Sequence, residues 1–176
     1  MALIKSVRGL VPKIGANCYL AENATIVGEV EMGDYCSVWF QAIVRGDVHF
    51  IKIGHHVNIQ DGAIIHCTYQ KAPTTIGNYV SIGHRAIVHG CTIEDNVLIG
   101  MGAIVMDHAV IKSGAIIAAG AVVLENTVCE GGYIYAGVPA KKTKETGDRT
   151  EMLTRIANNY VKYSDWFLND SQDIEI

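Results

Sequence analysis

The chain has 176 residues, with 14 Lys+Arg against 18 Asp+Glu and a formal net charge of −4; this excludes a nucleic-acid surface as its main business. No apolar run approaches the ~18 residues of a membrane span, and Met1–Arg8 lacks the apolar stretch of a signal peptide. Five cysteines with no C-x-x-C pair point to a reducing cytoplasm, not to a disulfide framework. Ile is 22 and Val 18 against only 7 Leu, a bias towards β-structure over most of the chain.

From Ile14 an apolar residue returns every sixth position: Ile14, Leu20, Ile26, Met32, Val38, Val44. The phase slips and resumes at Ile53, Ile59 and Ile65, then at Ile76, Ile82 and Val88. It continues through Ile93, Ile99, Val105, Ile111, Ile117 and Val123. Small or β-branched residues follow four places later, among them Cys18, Ala24, Val30, Cys36 and Ala42. Six is not a helical period; it fits short strands joined by tight turns. The slips fall after Val44, Ile65 and Val88, each time after a third hexapeptide. Three hexapeptides per coil predict a three-sided prism of six coils, rising ~4.8 Å per coil, with insertions leaving from one corner. The expected solenoid and its lead-in occupy 1–138.

After Val128 the pattern fades into the turn-rich exit Gly131-Gly132-Tyr-Ile-Tyr-Ala-Gly-Val-Pro139. Residues 141–147 are polar and read as a linker. Asp148-x-x-Glu151 forms a capping box, and Leu153, Ile156, Ala157, Tyr160, Val161, Phe167 and Leu168 share one helical face. The expected C-terminal unit, 139–176, is thus a linker and a helix over about 149–169 packed back on the prism, with a loose tail from Asn169.

Of the seven histidines, three have a telling register. His66 follows Ile65 and His89 follows Val88, both on the third side of successive coils. They are expected to stack outward, ~4.8 Å apart at the backbone, which suits two ligands on one metal. His84 lies on the second side near a corner, and Asp61 occupies its column one coil below. Within one subunit His84 cannot reach the other two; a neighbouring prism in a trimer can present it there. Arg45, Asp47, Asn58, Gln60 and Asp61 cluster in the same coils. Cys67 and Cys91, close to these histidines in sequence, read as packing residues, with a nucleophile or ligand role as the alternative. His55 and His56 read as exposed turn residues.

The series Arg45-Gly-Asp47, Asn58-Ile-Gln60-Asp61, His66, Gly83-His84 and His89-Gly-Cys91 resembles the gamma-class carbonic anhydrase family, over nearly the whole chain including the Tyr-Ala-Gly-Val-Pro-Ala exit. The resemblance implies a left-handed parallel β-helix of hexapeptide repeats with a C-terminal α-helix. It implies a homotrimer held by Arg45 and Asp47, with Zn²⁺ bound between subunits by His66, His84 and His89. Gln60 and Asp61 line the reacting water, and Tyr160 reaches the site. Three neutral histidines leave a fourth position for water, whose pKa falls towards ~7. The hydroxide formed hydrates carbon dioxide to bicarbonate. Imidazole ligands suit Fe²⁺ and Co²⁺ as well. The chain departs from the family pattern in one respect: the loop Cys67–Thr74 carries no carboxylate to shuttle protons, and Val48 stands where an acid would follow Asp47. Weak activity is therefore expected. Two alternatives are a hexapeptide acyltransferase or thioesterase acting on an acyl-coenzyme A, with one histidine as general base, and a non-enzymatic metal-stapled trimeric scaffold.

Overall fold

The computed structural model describes residues 1–169. The hexapeptides form a parallel β-solenoid of about seven turns. Strands of two residues alternate with turns on most sides, because each side of the prism has room for little more than one inward and one outward residue. The second face is one sheet, climbing from Tyr19–Leu20 through Ser37–Val38, Asn58–Ile59, Ser81–Ile82, Leu98–Ile99 and Ile116–Ile117 to Tyr133–Ala136. The first and third faces join into a second sheet through two long strands, Thr25–Met32 and Ile43–Ile53, that bend round the shared corner.

The core is the apolar column read from the sequence. All of its eighteen positions are buried except Ile14 and Leu20. Those two belong to the first coil, whose strands Lys13–Ile14 and Tyr19–Leu20 each pair on one side only. Each fully buried Ile or Val withdraws roughly 1.5–3 kcal/mol of apolar surface from water, and stacking makes that core continuous along the axis.

The corners demand the left-handed backbone region. Between the first and second faces it is adopted by Asn17, Tyr35, His56, Tyr79 and Asn96, with φ of 54–57°. Such a conformation costs an L-residue about 1–2 kcal/mol. Each coil offsets it: the Tyr35, His56, Tyr79 and Asn96 amides donate to Ala16, Asp34, His55 and Asn78 carbonyls one coil below. His56 is also stacked between Tyr35 and Tyr79, with ring centroids 5.1 and 4.7 Å away. It is therefore half-buried where the sequence reading left it exposed; His55 is exposed.

The solenoid runs further than the six coils expected. Tyr133–Ala136 adds a rung in register with Ile116–Ile117. The polar segment read as a linker holds a strand, Lys141–Glu145, antiparallel to Tyr133–Ala136. Its exposed side chains carry no hydrophobic signal, because it serves only to cover the last sheet edge. Helix Thr150–Asn169 follows, with the Asp148 carboxylate accepting from the Thr150 amide at 2.8 Å. It lies on the second face against Tyr19–Leu20, Ser37–Val38 and Ser81–Ile82. Leu153, Ala157 and Ser164 are its buried positions. Phe167 and Leu168, expected on the packed face, are about half exposed, although the Phe167 ring touches Tyr19, Trp39 and Phe40. Asn169 closes the helix; the rest of the expected loose tail lies outside the described residues.

Candidate metal centre

His66 and His89 end the strands Ile64–His66 and Ile87–His89 and stand directly opposite each other in the parallel ladder. The predicted register is the observed one. Both rings are half-buried outside the third face, and His66 Nδ1 lies 3.1 Å from His89 Nε2. Each ring turns its remaining nitrogen to a carboxylate. His66 Nε2 donates to Asp47 Oδ1 at 3.0 Å, and His89 Nδ1 donates to Asp107 Oδ1 at 2.5 Å.

Both carboxyls are held below the usual range. Burial pushes Asp47 upward, but the His66 ring and the Arg45 guanidinium outweigh it. Burial likewise opposes ionisation of Asp107, and the Thr68 hydroxyl and His89 ring overcome it. The two carboxylates therefore accept one N–H from each ring. Two lone pairs are left facing each other at 3.1 Å. Such an arrangement needs a cation between the nitrogens, either a proton or a metal ion. Two nitrogens on one tetrahedral zinc stand ~3.3 Å apart, so the donor set fits a shared metal. Burial, then Arg45, keeps the His66 pKa below its ordinary value.

His84 is not brought to this pair. It sits at the corner between the second and third faces, half exposed, with Nδ1 2.9 Å from Asp61 Oδ2. Asp61 thereby sets a carboxylate beside the Nδ1 edge of the ring. Among the described residues no three potential ligands meet within one subunit.

Arg45 and Asp47, read as trimer contacts, pair with each other across 2.6 Å within the subunit. Gln60 is buried beneath the C-terminal helix side of the prism, in a polar ladder. Asn58 Nδ2 donates to Ser81 Oγ at 2.8 Å, so Asn58 Oδ1 must accept, and it accepts from Gln60 Nε2 at 2.9 Å. That fixes the amide and leaves Gln60 Oε1 as the group it can offer a ligand. Tyr160 packs edge-on against Trp39 and Tyr163. Burial, and then the Asp61 charge, raises its pKa, so it is a neutral phenol near Asp61. Burial also raises the Cys67 thiol and pushes Cys91 up to about 12. Burial of both thiols favours the packing reading.

Three residues of the site escaped the sequence reading: Thr68, Thr74 and Asp107. Thr68 Oγ1 donates to Asp107 Oδ2 at 2.5 Å. Thr74 Oγ1 donates to the His66 carbonyl at 2.5 Å and accepts from the Gly90 amide at 2.9 Å. A signal for Asp107 was available: it occupies the column of Gly90 one coil on. Gly90 has φ of 56°, and a Cβ there would run into the Asp107 carboxylate and the Ala72 methyl. Gly90→Ala is therefore expected to cost roughly 1–3 kcal/mol of stability, from backbone strain and crowding together, read as a shifted denaturation midpoint with an unchanged slope.

A pocket of about 240 Å³ opens on the other side of Asp47, lined by Arg8, Leu10, Glu29, Val48, His49 and Gln70 among others. Of the short loop after His66, Gln70 lines it.

Comparison with known proteins bears on the fold and the family. Residues 90–125 match a family described as bacterial transferase hexapeptide (six repeats). The chain is similar to a carbonic anhydrase of Geobacillus kaustophilus, 42% identical over 94% of this chain and 91% of that one. It is 36% identical to gamma carbonic anhydrase 2, mitochondrial, of Arabidopsis thaliana, over 85% of this chain and 56% of the relative. Among solved structures, a hexapeptide transferase family protein from Anaplasma phagocytophilum superposes with a TM-score of 0.89 at 35% identity, over 94% of this chain and 98% of that one.

Proposed function

Because the chain belongs to the gamma-class carbonic anhydrase family, we propose that it catalyses the reversible hydration of carbon dioxide to bicarbonate at a metal site shared between the subunits of a cytoplasmic homotrimer. One observation carries this reading: each of three histidines has its own carboxylate, His66 with Asp47, His84 with Asp61 and His89 with Asp107. A carboxylate beside an imidazole is the pairing found at metal sites, where it orients the ring towards the ion. A general base needs one such pair, not three.

His66 and His89 of one subunit and His84 of the next would hold zinc, with Fe²⁺ or Co²⁺ as other fits to an imidazole set, and the ion would supply the Lewis acidity that lowers the pKa of water and steadies charge on the reacting oxygens. Gln60 Oε1 accepts the O–H of the nucleophile and turns its lone pair towards carbon dioxide. The Asp61 carboxylate stands beside His84, and its charge, with the Tyr160 phenol, gives that side of the site its polar character. Arg45 reaches across to the next subunit, with Asp47 as its anchor. Five free thiols support the reducing compartment.

The released proton must leave without a carboxylate in the Cys67–Thr74 loop. Stopped-flow hydration is therefore expected to be slow in dilute buffer and to quicken with added imidazole. Gln70→Glu puts an acid into the pocket that Asp47 lines, and is expected to recover part of that gain without buffer. Fast wild-type turnover in dilute buffer would overturn the expectation about the proton. A fully metallated trimer inactive in every buffer would overturn the function itself.

A solved Bacillus cereus neighbour described as a putative acetyltransferase favours a second reading, acyl transfer from an acyl-coenzyme A. Metal content decides between them: acyl transfer with a single histidine base requires no stoichiometric zinc, and the carbonic anhydrase reading requires one ion per subunit.

A further inference from the structure

We propose that Asp107 is a positioning residue that fixes the tautomer and orientation of His89, and that Thr68 makes the loop after His66 a working part of the metal centre; this rests on the metal reading above. Asp107 lies 18 residues from His89 in sequence yet 2.5 Å from its Nδ1. The contact forms because Asp107 stands one coil on from Gly90, in a column where the missing side chain of Gly90 leaves room for a carboxylate to reach the imidazole. A carboxylate at Nδ1 accepts only from Nδ1–H. The Nε2 lone pair is then committed to the side where His66 Nδ1 waits at 3.1 Å. Left without that acceptor, a neutral imidazole is free to carry its proton on Nε2, the wrong nitrogen for a ligand aimed at His66.

Asp107 is itself held. The Thr68 hydroxyl takes its second oxygen at 2.5 Å, and the Thr68 amide and carbonyl are tied into a small bridge with Ala72. At the far end of the same loop, Thr74 fastens the carbonyl of His66 to the amide that follows His89. The loop lacks a proton-carrying acid, but its two threonines clamp the two histidine strands from either end. Thr68 acts on the ring of His89 through Asp107, and Thr74 acts on the backbone.

Two measurements test this on the full-length protein. The first is side-chain ¹⁵N NMR of the histidines in metal-free protein. Wild type is expected to show His89 as the Nδ1–H tautomer, and Asp107→Ala to shift it towards Nε2–H. The second is zinc affinity by competition with a chromogenic chelator. Asp107→Ala is expected to weaken zinc binding roughly 10–100-fold. Asp107→Asn keeps an oxygen that can accept from Nδ1 while its amide donates to Thr68 Oγ1, so it should lose distinctly less than Asp107→Ala. Thr68→Val should fall between wild type and Asp107→Ala. Light scattering and the melting curve of the metal-free variants separate a lost ligand orientation from a lost fold. Unchanged affinity in Asp107→Ala, an unchanged His89 tautomer, or equal losses for the Asn and Ala variants would overturn the inference. If wild type takes up no stoichiometric zinc while the His89 tautomer still follows Asp107, the metal reading fails and the positioning role stands.

Discussion

Subunits carrying His84→Ala, mixed and reassembled with subunits carrying His89→Ala, are expected to bind zinc that neither homogeneous variant retains. The reason is the placement of the ligands. His66 and His89 share one ladder, whereas His84 lies round a corner, held by Asp61 and half exposed. Among the described residues, no single subunit assembles three ligands. In a site built between neighbours, the His89→Ala subunit still offers His84, and the His84→Ala subunit still offers the His66–His89 pair. With random mixing in a cyclic trimer, about a quarter of the interfaces carry one intact half of each kind. Each homogeneous variant, and His66→Ala as well, is expected to lose stoichiometric metal. Zinc content by elemental analysis, with trimer formation followed by light scattering, reads the outcome. A mixture that holds no more zinc than its components would place all the ligands in one chain, and a monomer at micromolar concentration would remove the shared site altogether.

The second large effect concerns the core. Ile99 is fully buried in the strand Leu98–Ile99, stacked between Ile82 and Ile117. Ile99→Ala removes three carbons from the axis of the prism, where neighbours above and below are fixed by their own ladders and cannot close the gap. A loss of about 2–5 kcal/mol is expected, seen as a lower denaturation midpoint. Because the residue sits one coil beyond the His84 rung, the folded fraction should bind zinc with wild-type stoichiometry. A loss below 1 kcal/mol would mean that the column tolerates voids, contrary to a continuous stacked core.

Much of the site was legible because a solenoid converts sequence spacing into position. Ile65 and Val88 lead equivalent hexapeptides, so the residues after them, His66 and His89, had to be opposite. The same arithmetic put Asp61 beneath His84, and the two form a 2.9 Å pair. Hexapeptide spacing says nothing about segments outside the repeat. Thr68 and Thr74 lie in an excursion whose path is set by its own turn. The strand Lys141–Glu145 is hidden for a related reason: an antiparallel cover on the last rung needs backbone pairing but no buried side chain. Asp107 is a subtler omission. It lies inside the repeat, but its partner is found diagonally, one coil back and one residue over. Only a reading that asked why Gly90 lacks a side chain would have found it. Phe167 and Leu168 fit the helical period and are nonetheless half exposed, since the helix outruns the apolar width of the face it covers.

The long strands that bend round one corner have a consequence for how such a protein can change. The longer connections Arg45–Phe50 and Cys67–Pro73, and the shortened one from His89 to Thr92, all fall at the vertex between the third and first faces, while the other two vertices keep a fixed turn length. Chain added or deleted at that vertex does not alter the climb per coil, since the strand resumes in its old ladder on the far side. The prism thus behaves as a bound stack of pages with a single open margin. Chemistry can be rewritten along the margin, in loop length and in polar side chains, while the spine of isoleucines keeps the two histidines one page apart.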